Sequence, residues 1–155
     1  MHSKFLGPLA IVLLALGTAG AAVATSVSGP TYGDWNLPES GNSGFATGAL
    51  DDSGGNTVFK LDAKLVETPS PSLSVRNGTI EGELDDGNPA VYPLYAVSGT
   101  WTSNKAGNGT FEASISRQVS PLGPVALIGK MAGKFSDSPS ILKVGKFKGE
   151  WKANL

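Results

Sequence analysis

Apolar and polar residues alternate along most of this chain with a period of two. Phe59, Leu61, Ala63 and Leu65 fall on one face of an extended segment, and Lys60, Asp62 and Lys64 fall on the other. Phe111, Ala113 and Ile115 likewise oppose Glu112 and Ser114, while Phe147 and Trp151 oppose Lys146, Lys148, Glu150 and Lys152. This is the alternation of half-buried antiparallel strands, with one face on a core and one in water. No segment of the mature chain carries helical periodicity over ten or more residues. The pattern predicts strands at Gly44–Leu50, Thr57–Val66, Leu73–Leu84, Ala90–Thr102, Gly109–Ser116, Val125–Phe135 and Ile141–Lys152, with a short one at Thr31–Trp35. The links between them are rich in Asp, Asn, Gly, Ser and Pro, which tolerate left-handed backbone or preset a turn. Asn77-Gly-Thr and Asn108-Gly-Thr fit the glycosylation acceptor pattern but are read as Asn-Gly turns.

A second pattern lies on the apolar face. Five times an apolar residue, a glycine and a second apolar residue occupy alternate positions: Ala46-Gly48-Leu50, Ile80-Gly82-Leu84, Val97-Gly99-Trp101, Met131-Gly133-Phe135 and Phe147-Gly149-Trp151. Thr31-Gly33-Trp35 is a weaker sixth copy. Each glycine shares a face with two large neighbours, so it leaves a gap there that a side chain from the next strand can fill. The missing Cβ also lets the strand bend, as a curved or closed sheet requires. The glycines at 48, 82, 99, 133 and 149 lie 34, 17, 34 and 16 residues apart, and Gly48-Ala-Leu-Asp-Asp-Ser-Gly-Gly-Asn echoes Gly82-Glu-Leu-Asp-Asp-Gly-Asn. The expected fold is therefore all-β, an antiparallel up-and-down meander of seven or eight strands. It is strongly curved or closed into a barrel, with an open curved sheet as the rival.

The N-terminus reads differently. One lysine, the apolar run Phe5–Leu16 and the small-residue site Ala22-Val23-Ala24 form a secretory signal peptide, residues 1–24, cleaved before Thr25. The expected product is secreted or extracytoplasmic, with no transmembrane segment in the mature chain, since the apolar run is shorter than a spanning helix. Residues 25–43 read as a flexible leader holding the short strand, and residues 44–155 as one β domain. Gly33-Asp34-Trp35 resembles the Gly-x-Trp of lipocalin-type barrels, and Val97-Ser-Gly-Thr-Trp101 through Gly107-Asn-Gly-Thr-Phe111 resembles a MORN-repeat hairpin. Each similarity covers only those residues, and no function is carried over from either.

Composition limits the chemistry. The chain has no cysteine, and its one histidine, His2, lies in the signal peptide. A mature chain without either cannot build a Ser-His-Asp triad, a cysteine nucleophile or an ordinary zinc site. Glu81 and Glu83 share a face, but one opposite the apolar residues, which is unlike the pocketed acid of a glycosidase. No enzyme activity and no cofactor are expected. The acidic turns at Asp51, Asp52, Asp85 and Asp86 carry hard oxygen ligands suited to calcium, in a pattern that tight turns also use. Net charge is −1, yet acids outnumber bases eleven to four from Thr25 to Glu112, and bases outnumber acids seven to two thereafter.

The expected role is non-catalytic, binding or structural, at the cell envelope or outside the cell. A basic surface patch of Lys130, Lys134, Lys146, Lys148 and Lys152 suits an anionic envelope polymer or another protein, unless acidic strands beside it neutralise the charge. Nucleic acid is not expected. The alternative is a barrel enclosing a small apolar ligand among Trp35, Trp101, Phe111, Phe135, Phe147 and Trp151. Core packing is the competing role for Trp101 and Trp151, and Trp35 reads as a lid or plug over one end.

Overall fold

The computed structural model describes residues 24–37, 43–69, 75–104, 108–138 and 141–155. The expected signal peptide, apart from Ala24, and residues 38–42 of the expected leader lie outside them. Every described element is a strand: β1 (Ser26–Asn36), β2 (Ser43–Asp51), β3 (Thr57–Thr68), β4 (Val75–Asp85), β5 (Leu94–Asn104), β6 (Gly109–Gln118), β7 (Val125–Ser138) and β8 (Ile141–Asn154). Each pairs antiparallel with its sequence neighbours, and β1 pairs with β8, so the meander closes into an eight-stranded barrel. The rival open sheet is thereby excluded.

Closure explains the main departure from the sequence reading. The stretch read as a leader with a short strand at Thr31–Trp35 carries an eleven-residue strand, Ser26–Asn36. Its glycine, proline and serine content weakens its strand signal, but both of its edges are paired, from Ser26↔Asn154 to Asn36↔Val144 on one side and from Thr31↔Leu50 to Asn36↔Phe45 on the other. Partnership on two sides overrides weak intrinsic preference. Backbone bonds between Thr25 and Leu155 in both directions tie the chain ends together. At β5 the opposite correction applies. The strand starts at Leu94 rather than Ala90, because Pro89 and Pro93 have no N–H to give a ladder.

The inward face carries the alternation expected of it. Phe59, Leu61, Ala63 and Leu65 are buried while Lys60, Asp62 and Lys64 are exposed. Inward glycines let large side chains cross the narrow lumen of an eight-stranded barrel. A Cβ on Gly33 or Gly48 would lie 2.7 Å from the Phe147 ring, and one on Gly133 would lie 2.7 Å from Phe111. Gly145 makes room for Trp35 and Gly78 for Trp101, each with an indole nitrogen 2.6 Å from the Cβ position. Gly33, Gly78, Gly133 and Gly145 each stand directly opposite the residue they accommodate. The Asn77-Gly78 step, read as a turn, is therefore mid-strand, and its glycine serves packing.

The aromatic rings form three groups along the barrel axis. Phe135 contacts Trp35 at 5.4 Å and Trp101 at 6.2 Å, at one end. Phe111 meets Phe147 edge-on at 5.7 Å. Phe59 packs on Tyr95 at 4.8 Å and Trp151 at 5.7 Å, toward the other end.

Candidate functional site

The Trp35–Phe135–Trp101 end of the barrel holds an apolar cavity of about 50 Å³. That exceeds the roughly 10–15 Å³ needed for one water, and the pocket opens at the barrel end, so a larger ligand can project from it. Trp35, Trp101, Phe111, Phe135 and Phe147 all line it, five of the six residues expected at an interior ligand site. Ala46, Leu61, Leu65, Ile80 and Met131 complete the apolar wall with Leu37, which follows β1. Trp151 does not line it. Its ring lies against Phe59, and its indole N–H donates to the buried Asp51 carbonyl oxygen at 2.7 Å.

Two polar side chains also line the cavity, Arg76 and Ser103. They stand opposite each other on β4 and β5, near the end of the barrel. Arg76 shares its strand face with the inward Gly78 and Ile80, which brings a guanidinium to the edge of an apolar void. It donates from Nε and Nη2 to the two carboxylate oxygens of Glu67, both at 2.6 Å. The paired side chains are 24% and 23% exposed. Alternation alone marks Arg76 and Glu67 as inward-facing, but their charge makes them read as surface residues. The Trp101 indole N–H is buried with no hydrogen-bond partner among the described residues. Trp35, by contrast, donates to the Ser136 carbonyl oxygen at 3.3 Å.

The basic patch lies on the outer face of β7 and β8, where cross-strand register orders it into rows. Lys130 stands directly opposite Lys152, and Lys134 opposite Lys148. Ser114 and Ser28 flank the first pair, and Thr110 and Tyr32 the second. Between the rows run Glu112, Ala132, Glu150 and Pro30. A broad groove over this waist is bordered by the four lysines and lined between them by Glu112, Glu150 and small residues such as Ala132, Gly133 and Gly149. Among the described residues only Lys146 of the patch is in an ion pair, with Asp34. Glu112 and Glu150 stand between the lysine rows and Asp34 lies on adjacent β1, whereas the acids Asp62, Glu81, Glu83 and Asp85 lie on β3 and β4, across the barrel. Glu81 and Glu83 are exposed there.

The acidic turns use their carboxylates as turn acceptors. Asp52 Oδ1 accepts from the Gly54 and Asn56 backbone N–H groups at 2.8 and 2.9 Å, and Asn56 Nδ2 donates to Oδ2 at 3.0 Å. These bonds hold the Asp52 carboxyl below its ordinary pKa, the Asn56 side-chain bond contributing most. Asp51 is buried and accepts from the Tyr32 and Thr57 hydroxyls, both at 2.9 Å. Asp85 and Asp86 accept from the Gly87 and Asn88 N–H groups. Gly55 and Gly87 adopt φ of 83° and 74°, as these turns require. No cluster of three potential metal ligands occurs among the described residues.

One surface has no counterpart in the sequence reading. β8 reaches β7 only as far as Gly129↔Ala153, so the β6–β7 hairpin runs past the rim. It exposes Val119, Val125, Leu127 at 71% and Leu122 at 100%. Strand alternation gives no warning of this, because the hairpin has left the barrel that gives alternation its meaning.

The fold and site together define an up-and-down eight-stranded β-barrel with an apolar cavity at one end. The chain matches no protein-family model, no curated protein and no solved structure.

Proposed function

We propose that this chain is an exported, non-catalytic binding barrel whose end cavity takes the apolar part of a small ligand. One observation carries the reading: the aromatic walls of the cavity rest on glycine-vacated positions across the ladder, so the space is preformed. Ligand sites are typically concave, largely apolar and preformed, with few polar groups. Filling 50 Å³ of apolar cavity with apolar ligand atoms is worth about 1 kcal/mol of packing. Export is inferred from the signal peptide, and the absence of catalysis from a mature chain without histidine or cysteine.

Thermal unfolding in the presence of isopentane tests this. Saturable one-to-one stabilisation is expected. Ala46→Leu, which places three more carbons on the cavity wall, is expected to abolish the effect while leaving the barrel folded. No stabilisation, or stabilisation that persists in the variant, contradicts the reading.

A second reading rests on the opposed lysines. Like charges directly across a ladder are destabilising, and here two such pairs border a groove. They fit an anionic polysaccharide with spaced charges laid across the strands. Dextran sulfate binding that weakens with salt and is lost in Lys130→Ala/Lys152→Ala, but not in Lys60→Ala, supports it. Indifference to salt or to those substitutions removes it.

A further inference from the structure

We infer that the Trp101 indole N–H is the hydrogen-bond donor of the end cavity. The matching ligand is a small apolar molecule bearing one uncharged acceptor oxygen, such as a ketone, ester or ether. This deepens the cavity reading above and depends on it. The three tryptophans of the barrel provide an internal comparison. Trp35 and Trp151 each donate to a backbone carbonyl oxygen on another strand, Ser136 and Asp51. Trp101 is 5% exposed, lines the cavity, and has no acceptor among the described residues. Nearly all buried polar groups in folded proteins are partnered, so an orphan at a cavity wall marks a place where an acceptor belongs.

The surroundings decide which acceptor. A Cβ on Gly78 would lie 2.6 Å from Nε1 and closer still to the Val66 carbonyl oxygen, so that edge of the ring packs over the Gly78 backbone with no side chain between them. Ser103 already gives its proton to the Asn104 carbonyl oxygen at 3.2 Å. Arg76 is held by Glu67 through two short bonds, which cancels its charge and puts a carboxylate at the cavity edge. A second carboxylate arriving there would meet Glu67, whereas a neutral oxygen would not. A hydrocarbon would leave the indole unpaired.

The test compares isopentane, butan-2-one (the same skeleton with oxygen in place of a methyl) and butanoate. The ¹H–¹⁵N indole resonances of the mature protein follow binding, and Trp101→Phe serves as the donor-free variant. Butan-2-one is expected to move the Trp101 indole signal strongly and to bind roughly three- to tenfold more tightly than predicted from isopentane and its own solubility. The Trp35 and Trp151 N–H groups keep their bonds, and in Trp101→Phe, whatever the alkane's own affinity there, the ketone-to-alkane affinity ratio falls back to the one their solubilities predict. Equal binding of ketone and alkane with the Trp101 signal unmoved overturns the donor assignment and leaves the cavity reading intact. Butanoate binding more tightly than butan-2-one overturns the choice of a neutral acceptor. Failure of all three to bind removes the cavity reading itself.

Discussion

Trp101 and Trp151 share a residue type, near-complete burial and a Gly-x step before them, yet only Trp151 has its N–H satisfied. Their replacement separates packing from hydrogen bonding. Trp→Phe removes the same ring volume at either site, but Trp151→Phe also strands the buried Asp51 carbonyl, whereas Trp101→Phe removes a donor that has nothing to lose. Urea denaturation is expected to find Trp151→Phe less stable than Trp101→Phe by about 1–2 kcal/mol; equal values would show that the two indole nitrogens are energetically alike. Gly133 gives a second residue-scale test. A Cβ there meets the Phe111 ring at 2.7 Å and the Gly149 Cα at 2.6 Å. Gly133→Ala is expected to cost about 1–3 kcal/mol by overpacking, read from the same denaturation curves.

At the scale of elements, the β2–β3 turn and the β7–β8 ladder make separate predictions. Asp52 is held below its ordinary pKa by the turn it caps. A carboxyl whose folded pKa is depressed adds stability above its unfolded value and loses it as pH falls through the folded one. Asp52→Ala is therefore expected to lower the melting temperature at neutral pH, with the gap to the parent closing below about pH 4. A gap that stays constant into acid would mean that the turn does not rely on the ionised carboxylate. In the ladder, Lys134→Glu turns a Lys–Lys pair with Lys148 into an opposite-charge pair. It is expected to stabilise the barrel by about 0.2–1 kcal/mol at low salt and by less at high salt.

These elements also show which parts of the fold were legible in the sequence. β3 and β6 were readable because each alternates cleanly between apolar and polar residues. β1 was harder, since Gly29, Pro30 and Gly33 weaken its strand signal and only pairing on both edges makes it a strand. Asn77-Gly78 looked like a turn because Asn-Gly dipeptides usually are; the reason it is not, the Trp101 ring, lies on another strand. Five cavity residues were legible because aromatics near inward glycines belong inside. Trp151 shares that local pattern, and only its position along the axis removes it from the cavity. Arg76 and Glu67 went unseen because their charge reads as surface even though alternation puts both on the inward face.

Across the whole molecule, closure of the sheet sorts these features. It sends the acidic strand β4 and the lysine strands β7 and β8 to opposite sides, so part of the charge segregation along the chain becomes a division between two faces. It also gathers large side chains into a lumen too narrow for them unless glycines stand opposite, and leaves the remaining space at the Trp35–Trp101 end. The account turns on that space being preformed and apolar. Xenon, which enters dry apolar cavities, tests it most directly through diffraction from a pressurised crystal. The account predicts one xenon peak enclosed by Trp35, Ala46, Trp101 and Phe135, absent in Ala46→Leu. An ordered water cluster in its place, or rings collapsed together with no room for the atom, would contradict it.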